Sequence, residues 1–130
     1  VANFVKPMLR LSETRDALFV VDDQIGGPTP ASGIAAALLT MAQAMQDGQK
    51  GGIYHYAGTP AVSWKCFARE TFKAAERDVL VTGIPTVDYP TPAIRPLNSR
   101  LDCSTLETDF RIKPPNWKAD LAKIVSNLVQ

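Results

Sequence analysis

Apolar positions along the chain switch repeatedly between helical and strand-like spacing. Phe4, Val5, Met8, Leu9 and Leu11 fall near the i, i+3, i+4, i+7 rhythm of an amphipathic helix. Asn3 is the expected N-cap, and Pro7 is admissible only near a first turn, so this helix begins no earlier than Ala2. Ala17 to Val21 is an unbroken apolar run closed by Asp22 and Asp23, the pattern of a buried parallel strand. Residues 24–30 form a loop dense in glycine and proline. A long helix is predicted from about Ala31 to Asp47, with Ile34, Leu38, Leu39, Met41, Ala42 and Met45 on its apolar side and Gly48 as terminator. Gly52 to Ala57 alternates and is aromatic, which predicts a second strand. Ser63 is placed to cap a helix from Trp64 to about Glu76, with Phe67, Ala68, Thr71, Phe72 and Ala75 inward.

Val79 to Ile84 has the composition of a short edge strand. Pro85, Pro90, Pro92 and Pro96 then crowd one stretch, which is therefore extended and neither helix nor central strand. Asp102 is a good cap for a short helix from Cys103 to Asp109. Pro114 and Pro115 are expected to open a terminal helix carrying Trp117, Leu121, Ile124, Val125 and Leu128. Helices alternating with strands predict an α/β fold with a small, mostly parallel sheet and flanking helices. Two or three strands make a thin sheet, and Val1 is not a methionine. Both point to one domain, residues 1–130, of a longer polypeptide.

Fourteen basic and thirteen acidic residues leave a net charge of +1, which gives no electrostatic reason to expect nucleic acid or an anionic membrane as partner. No apolar run reaches the roughly 18 residues that span a bilayer. Cys66 and Cys103 match no metal-ligand spacing and are expected to be buried small hydrophobes in a reducing cytoplasm.

Candidate chemistry is sparse. There is no Gly-x-Gly-x-x-Gly and no Gly-Lys-Ser/Thr loop. Gly26-Gly27 follows a strand and precedes a helix, but Pro28 and Pro30 remove amides that a phosphate cradle needs, so a tight turn is the favoured reading. His55, the single histidine, is expected to be structural, with one bonded nitrogen. Asp22 and Asp23 are either an acid/base pair or caps of the following turn that meet water. Tyr89 to Arg100 sets Arg95, Asn98 and Arg100 in a proline-stiffened run. Arginine forks there are either a phosphate grip of low entropic cost or solvated side chains of a surface loop.

Four blocks taken together resemble a known family. These are Asn3-Phe4-Val5-Lys6-x-Met8-Leu9-Arg10-Leu11, Asp23-Gln24-x-Gly26-x-Pro28-Thr29, Gly52-Ile53-Tyr54-His55, and Tyr89-Pro90-Thr91-Pro92-Ala93-x-Arg95-Pro96-x-Asn98-Ser99-Arg100-Leu101. In that order they resemble the carboxy-terminal part of dTDP-4-dehydrorhamnose reductases, which are extended short-chain dehydrogenases/reductases. The resemblance covers essentially the whole chain and is most specific in the last block. It implies a parent enzyme about twice as long, with an amino-terminal Rossmann domain that binds NADPH or NADH. That family reduces the 4-keto group of dTDP-6-deoxy-L-lyxo-4-hexulose to give dTDP-L-rhamnose. Its Tyr-x-x-x-Lys pair, in which Tyr gives the proton and Lys lowers the Tyr pKa, does not occur in these residues, so no catalytic role falls here and the 130 residues alone are expected to be inactive. What the resemblance carries over is the dTDP-sugar site: Asn3 as amide donor, Asp23, Gln24, Pro28 and Thr29 at a strand's carboxyl end, and Arg95, Asn98 and Arg100 at the diphosphate. Two departures from the family pattern, Pro7 and Trp64-Lys65-Cys66, are expected to lie away from that site. Some relatives hold Mg²⁺ at a dimer contact through carboxylates. Ser32 and Asn127 stand near those places here, so no metal is expected, and a homodimer is left open.

Three other readings remain at this level. One is a non-catalytic binding or regulatory relative of the same fold. Another is a reductase or epimerase for a different nucleotide-sugar. The third is a free-standing interaction module.

Overall fold

The computed structural model describes residues 3–129. In chain order the elements are α1 (Val5–Leu11), β1 (Ala17–Val21), β2 (Ile25–Gly26), α2 (Ala31–Gln46), β3 (Val62–Ser63), α3 (Trp64–Ala74), β4 (Leu80–Ile84), a 3-10 turn (Thr86–Asp88), α4 (Ser104–Phe110) and α5 (Trp117–Val129). β1 and β4 pair in parallel, from Ala17 opposite Leu80 to Val21 opposite Ile84. A second, antiparallel pair joins Ile25 to Ser63 and Gly26 to Val62. The architecture is the small α/β arrangement that the periodicity predicts.

α3 is the central helix because its stripe has two neighbours. Ala68 and Phe72 are buried with Leu18 and Val20 of β1, and Phe4, Met8, Leu11, Val79 and Val81 pack around them. Phe67, Ala74 and Ala75 pack against a second cluster of Val5, Trp117, Leu121 and Val125. Thr71 is fully buried, and its hydroxyl donates to the Phe67 carbonyl at 2.9 Å, so burial leaves no polar group unpaired. The helix starts where Ser63 Oγ accepts from the Cys66 amide at 3.2 Å, satisfying one of the free first-turn donors. Asn3 caps α1 in the same way, accepting from the Lys6 amide at 3.0 Å. Pro7 sits in that helix's first turn, where its missing amide is harmless. Asp102 accepts from the Ser104 amide at 2.9 Å at the start of α4.

Several expectations are corrected. Gly52 to Ala57 is not a strand. Its alternation is used by side chains instead: the Tyr54 ring meets Phe110 edge-on at 5.0 Å and its hydroxyl donates to Asp109 at 2.9 Å. His55 on this segment is exposed and no buried structural histidine. The terminal helix begins at Trp117, not at Pro114. Asn116 takes over as cap, accepting from the Lys118 amide, and Pro115 lies in an extended approach where its carbonyl accepts from the Thr59 amide at 2.8 Å. Cys103 is buried as expected, whereas Cys66 is exposed, and both are free thiols.

Two apolar surfaces have no cover among the described residues. On β1, Leu18, Val20 and Val21 are buried, whereas Phe19 is 70% exposed. α2 has no charged residue, yet Ala37 is its one buried position; Leu38 and Leu39 are 60% and 74% exposed. The apolar side expected to face inward therefore faces outward within these 130 residues.

Candidate functional site

A cavity of about 510 Å³ opens where α1, the residue 24–31 loop, α3 and α5 converge. That volume falls in the range of small-molecule sites, about 300–1,000 Å³. Four aromatic side chains line it in a continuous row. Trp64 and Phe4 have ring centroids 4.8 Å apart, Phe4 stacks on Phe67 at 5.4 Å, and Phe67 meets Trp117 edge-on at 5.3 Å. Trp117 is buried, and its indole NH donates to the Pro60 carbonyl at 2.6 Å. Trp64 is 42% exposed. No lysine or arginine lines the cavity, and its single carboxylate is Asp120.

The loop between β2 and α2 is locked in shape. Thr29 Oγ1 donates to the Gly27 carbonyl at 2.9 Å and accepts from the Gly58 amide at 3.0 Å. A side chain at Gly58 would run into the Pro28 carbonyl, and one at Gly27 into the Gly58 carbonyl, so both positions require the absence of a Cβ. The double glycine is thus explained by close approach of two backbones, in agreement with the tight-turn reading.

Asp22 and Asp23 point to different partners. Asp22 accepts from Lys65 Nζ at 2.8 Å and from Ser63 Oγ at 2.6 Å. The Lys65 ammonium, with the Ser63 hydroxyl second, holds its carboxyl below the usual carboxylate range. Asp23 accepts the hydroxyl of Thr86 at 2.6 Å and the Thr86 amide at 2.9 Å. These two bonds, the hydroxyl first, lower its pKa as well. A carboxylate stabilised as the anion is a poor proton donor, so neither is set up as a general acid. Thr86 in turn receives the side-chain amide of Gln24 at 3.1 Å, and Gln24 Oε1 accepts from Trp64 Nε1 at 3.2 Å.

Of the residues singled out in the sequence, Asn3, Gln24, Pro28 and Thr29 line the cavity together. Asn3 uses its carbonyl oxygen within α1, which leaves the amide protons as what it can offer a ligand. Asp23 lies behind Gln24, outside the lining. The proline-rich strip reaches the cavity at one end. The Ile25 amide donates to the Leu97 carbonyl at 2.8 Å, and the Ser99 amide donates to the Ile25 carbonyl at 2.8 Å. Ser99 and Leu101 line the cavity, while Arg100 between them does not, as alternation along an extended run requires. Asn98 accepts from the Arg100 amide at 3.1 Å. Arg95 and Arg100 are exposed and outside the lining.

Trp64 was expected to lie away from the site, but it forms part of the wall. The signal was present: Trp64 is one turn before Phe67 and Ala68 on the same stripe, so the stripe runs past the core and into the cavity. Tyr56, whose hydroxyl pKa is raised chiefly by burial, is a second lining residue that sequence reasoning did not single out. Among the described residues no group of His, Cys, Asp and Glu is arranged to hold a metal ion, and no helix is long and apolar enough to cross a membrane.

Across residues 1–130 the chain matches the family described as RmlD substrate binding domain. A dTDP-4-dehydrorhamnose reductase from Aggregatibacter actinomycetemcomitans is 47% identical over 130 residues, which cover 94% of this chain and 44% of the relative. The crystal structure of a dTDP-4-dehydrorhamnose reductase from Clostridium acetobutylicum superposes with a TM-score of 0.92 at 34% identity, covering 100% of this chain and 45% of that one. A Bacillus anthracis dTDP-4-dehydrorhamnose reductase, solved in complex with NADP, superposes with a TM-score of 0.82 at 31% identity over 98% of this chain and 44% of its own. The chain thus spans less than half the length of the relatives it matches.

Proposed function

Because this chain belongs to the RmlD substrate binding domain family, we propose that it is the nucleotide-sugar-binding part of a dTDP-4-dehydrorhamnose reductase. The observation that carries this reading is the pairing of two surfaces of opposite character. An aromatic cavity whose lining has no cation suits the base and sugar of a nucleotide, and the strip bearing Arg95 and Arg100 joins its edge at Ser99 and Leu101. On this reading Asn3, Gln24, Pro28 and Thr29 surround the ligand inside the cavity, while Asp23 acts from behind Gln24. Arg95, Asn98 and Arg100 meet the diphosphate outside it, where guanidinium forks match phosphate oxygens bidentately.

These residues hold neither a glycine-rich dinucleotide loop nor a Tyr-x-x-x-Lys pair. Cofactor binding and proton donation therefore belong to an amino-terminal Rossmann domain of the same polypeptide. NADPH or NADH bound there supplies the hydride that reduces the 4-keto group of dTDP-6-deoxy-L-lyxo-4-hexulose, giving dTDP-L-rhamnose. This part's contribution is to hold the sugar nucleotide still against that domain. The partners on this reading are the dTDP-sugar and the amino-terminal domain, in the cytoplasm.

Titration with dTDP tests the reading. Arg100→Ala should raise the dissociation constant roughly ten- to a hundredfold, the worth of one charged hydrogen bond. Unchanged dTDP affinity removes Arg100 from the site, and no dTDP binding by the unaltered protein removes the site altogether.

A further inference from the structure

Trp64 is held differently from the rest of the aromatic row. Phe4 and Phe67 pack into the two core clusters, and Trp117 is buried and anchored to a backbone carbonyl. Trp64 stands at the exposed start of α3, and its indole NH is fixed by a side chain 40 residues away: Gln24 Oε1, at 3.2 Å. The Gln24 amide cannot flip freely, because its nitrogen donates to Thr86 Oγ1 at 3.1 Å. Thr86 is itself oriented, since its hydroxyl proton goes to Asp23 at 2.6 Å and its amide to the same carboxylate. A carboxylate accepts only, so the direction of every bond follows from Asp23: Thr86 donates to it, Gln24 donates to Thr86, and Trp64 donates to Gln24. The chain of bonds ends by setting the plane of a half-exposed indole at the cavity wall.

We propose that Trp64 is the stacking platform for the nucleobase, and that Gln24, Thr86 and Asp23 are positioning residues that fix its ring before ligand arrives. The inference rests on the nucleotide-sugar reading and deepens it by assigning the base to this end of the cavity. An indole face offers sequence-tolerant attraction to any flat heterocycle. A pre-set ring also loses less entropy on binding than a mobile one. The lining here contains no cation to compete for a phosphate, whereas the arginines lie along the outer strip. Base inside and diphosphate outside is the arrangement both surfaces favour.

The test uses the purified protein at its full natural length and three probes: dTDP, thymidine and inorganic pyrophosphate. Trp64→Ala should weaken dTDP and thymidine ten- to a hundredfold, the range for loss of one base–aromatic stack, and leave pyrophosphate unchanged. Trp64→Phe keeps a ring but loses the bond to Gln24, so it should weaken dTDP several-fold. Thr86→Val should do the same alone and add nothing in the Trp64→Phe background, because both changes break one chain of bonds. A parallel loss of dTDP and pyrophosphate in Trp64→Ala would indicate a general structural role and overturn the platform. So would dTDP affinity equal to wild type in Trp64→Ala, with the nucleotide site itself left standing. Additive losses in the double variant overturn the positioning chain. Failure of the unaltered protein to bind dTDP overturns this proposal together with the reading beneath it.

Discussion

The indole NH of Trp117 and the carbonyl oxygen of Pro60 lie 2.6 Å apart, joining the first residue of α5 to the segment that precedes β3. Pro115 and Thr59 reinforce the same junction through a backbone bond of 2.8 Å. α5 therefore enters the core at a fixed height, and the cavity that Trp117, Leu121 and Ile124 help to line inherits its shape from that junction.

Trp117→Phe should keep most of the packing but lose the bond to the Pro60 carbonyl, at a cost of about 0.5–1.5 kcal/mol. Trp117→Ala should cost about 3–5 kcal/mol, since a large side chain is removed from a buried site. Chemical denaturation of the two variants checks the order. A Trp117→Phe protein as stable as wild type would mean that the hydrogen bond contributes little.

Asp22 gives the protein an acid-sensitive component of stability. Its carboxyl is lowered from 3.8, first by the hydrogen bond from Lys65 and then by that from Ser63. The stabilisation is therefore complete above the unfolded-state pKa and disappears as pH falls through the depressed folded value. Asp22→Asn should lower stability near neutrality by about 1 kcal/mol or less, because the pair is partly exposed and screened. Its deficit against wild type should shrink in strong acid, where both carry a neutral side chain. Thermal melts from neutral to strongly acidic pH measure this.

Gly58→Ala should damage the site, because Gly58 is a buried loop position with no room for a side chain. The added methyl meets the Pro28 carbonyl, a backbone group that moves only if the whole loop moves. Forced displacement of this kind costs about 1–3 kcal/mol. Thr29→Val, which removes the hydroxyl link to Gly58 and Gly27, should loosen the same loop without the clash. Both variants should bind dTDP more weakly. A Gly58→Ala protein with wild-type melting would show that the loop has slack.

The outward face of α2 predicts a surface property of the isolated 130 residues. Leu38 and Leu39, with Ile34 and Met45 also exposed, form an uncharged apolar band on a single helix. Such bands mark contact surfaces or aggregation sites. Replacing Leu38 and Leu39 by lysine should reduce hydrophobic-dye binding and self-association, with stability changed by no more than about 0.5 kcal/mol. Light scattering and a melt of the double variant decide it.

What the sequence reveals divides along physical lines. Local interactions are legible: the Ser63 cap, the Asp102 cap and the stripe of α3 each depend on residues within a turn or two of each other. The parallel character of the sheet is legible because apolar runs alternate with helices, whereas the choice of β4 as the partner of β1 is not, since Gly52 to Ala57 reads as a competing strand. Gly52 to Ala57 misleads because alternation reports which side chains are buried, not whether a neighbouring strand exists to complete the ladder. α2 misleads for a related reason, since an apolar helical face does not say which part of a longer polypeptide covers it. Trp64 is missed as a site residue because its partner, Gln24, comes from a distant loop, and no local pattern encodes that meeting. The arginine strip is half legible. Its stiffness and exposure follow from proline, but the inward turn of Ser99 and Leu101 depends on where Ile25 captures the backbone.

The strip is fastened at both ends, by Asp23 at Thr86 and by Ile25 at Leu97 and Ser99, and Val87 and Ile94 between them are exposed. An arch pinned only at its feet can change span, length or side chains without shifting the register of what lies beneath. Grafting different arches onto this chain should therefore yield a series of proteins with one shared receptor and interchangeable rims.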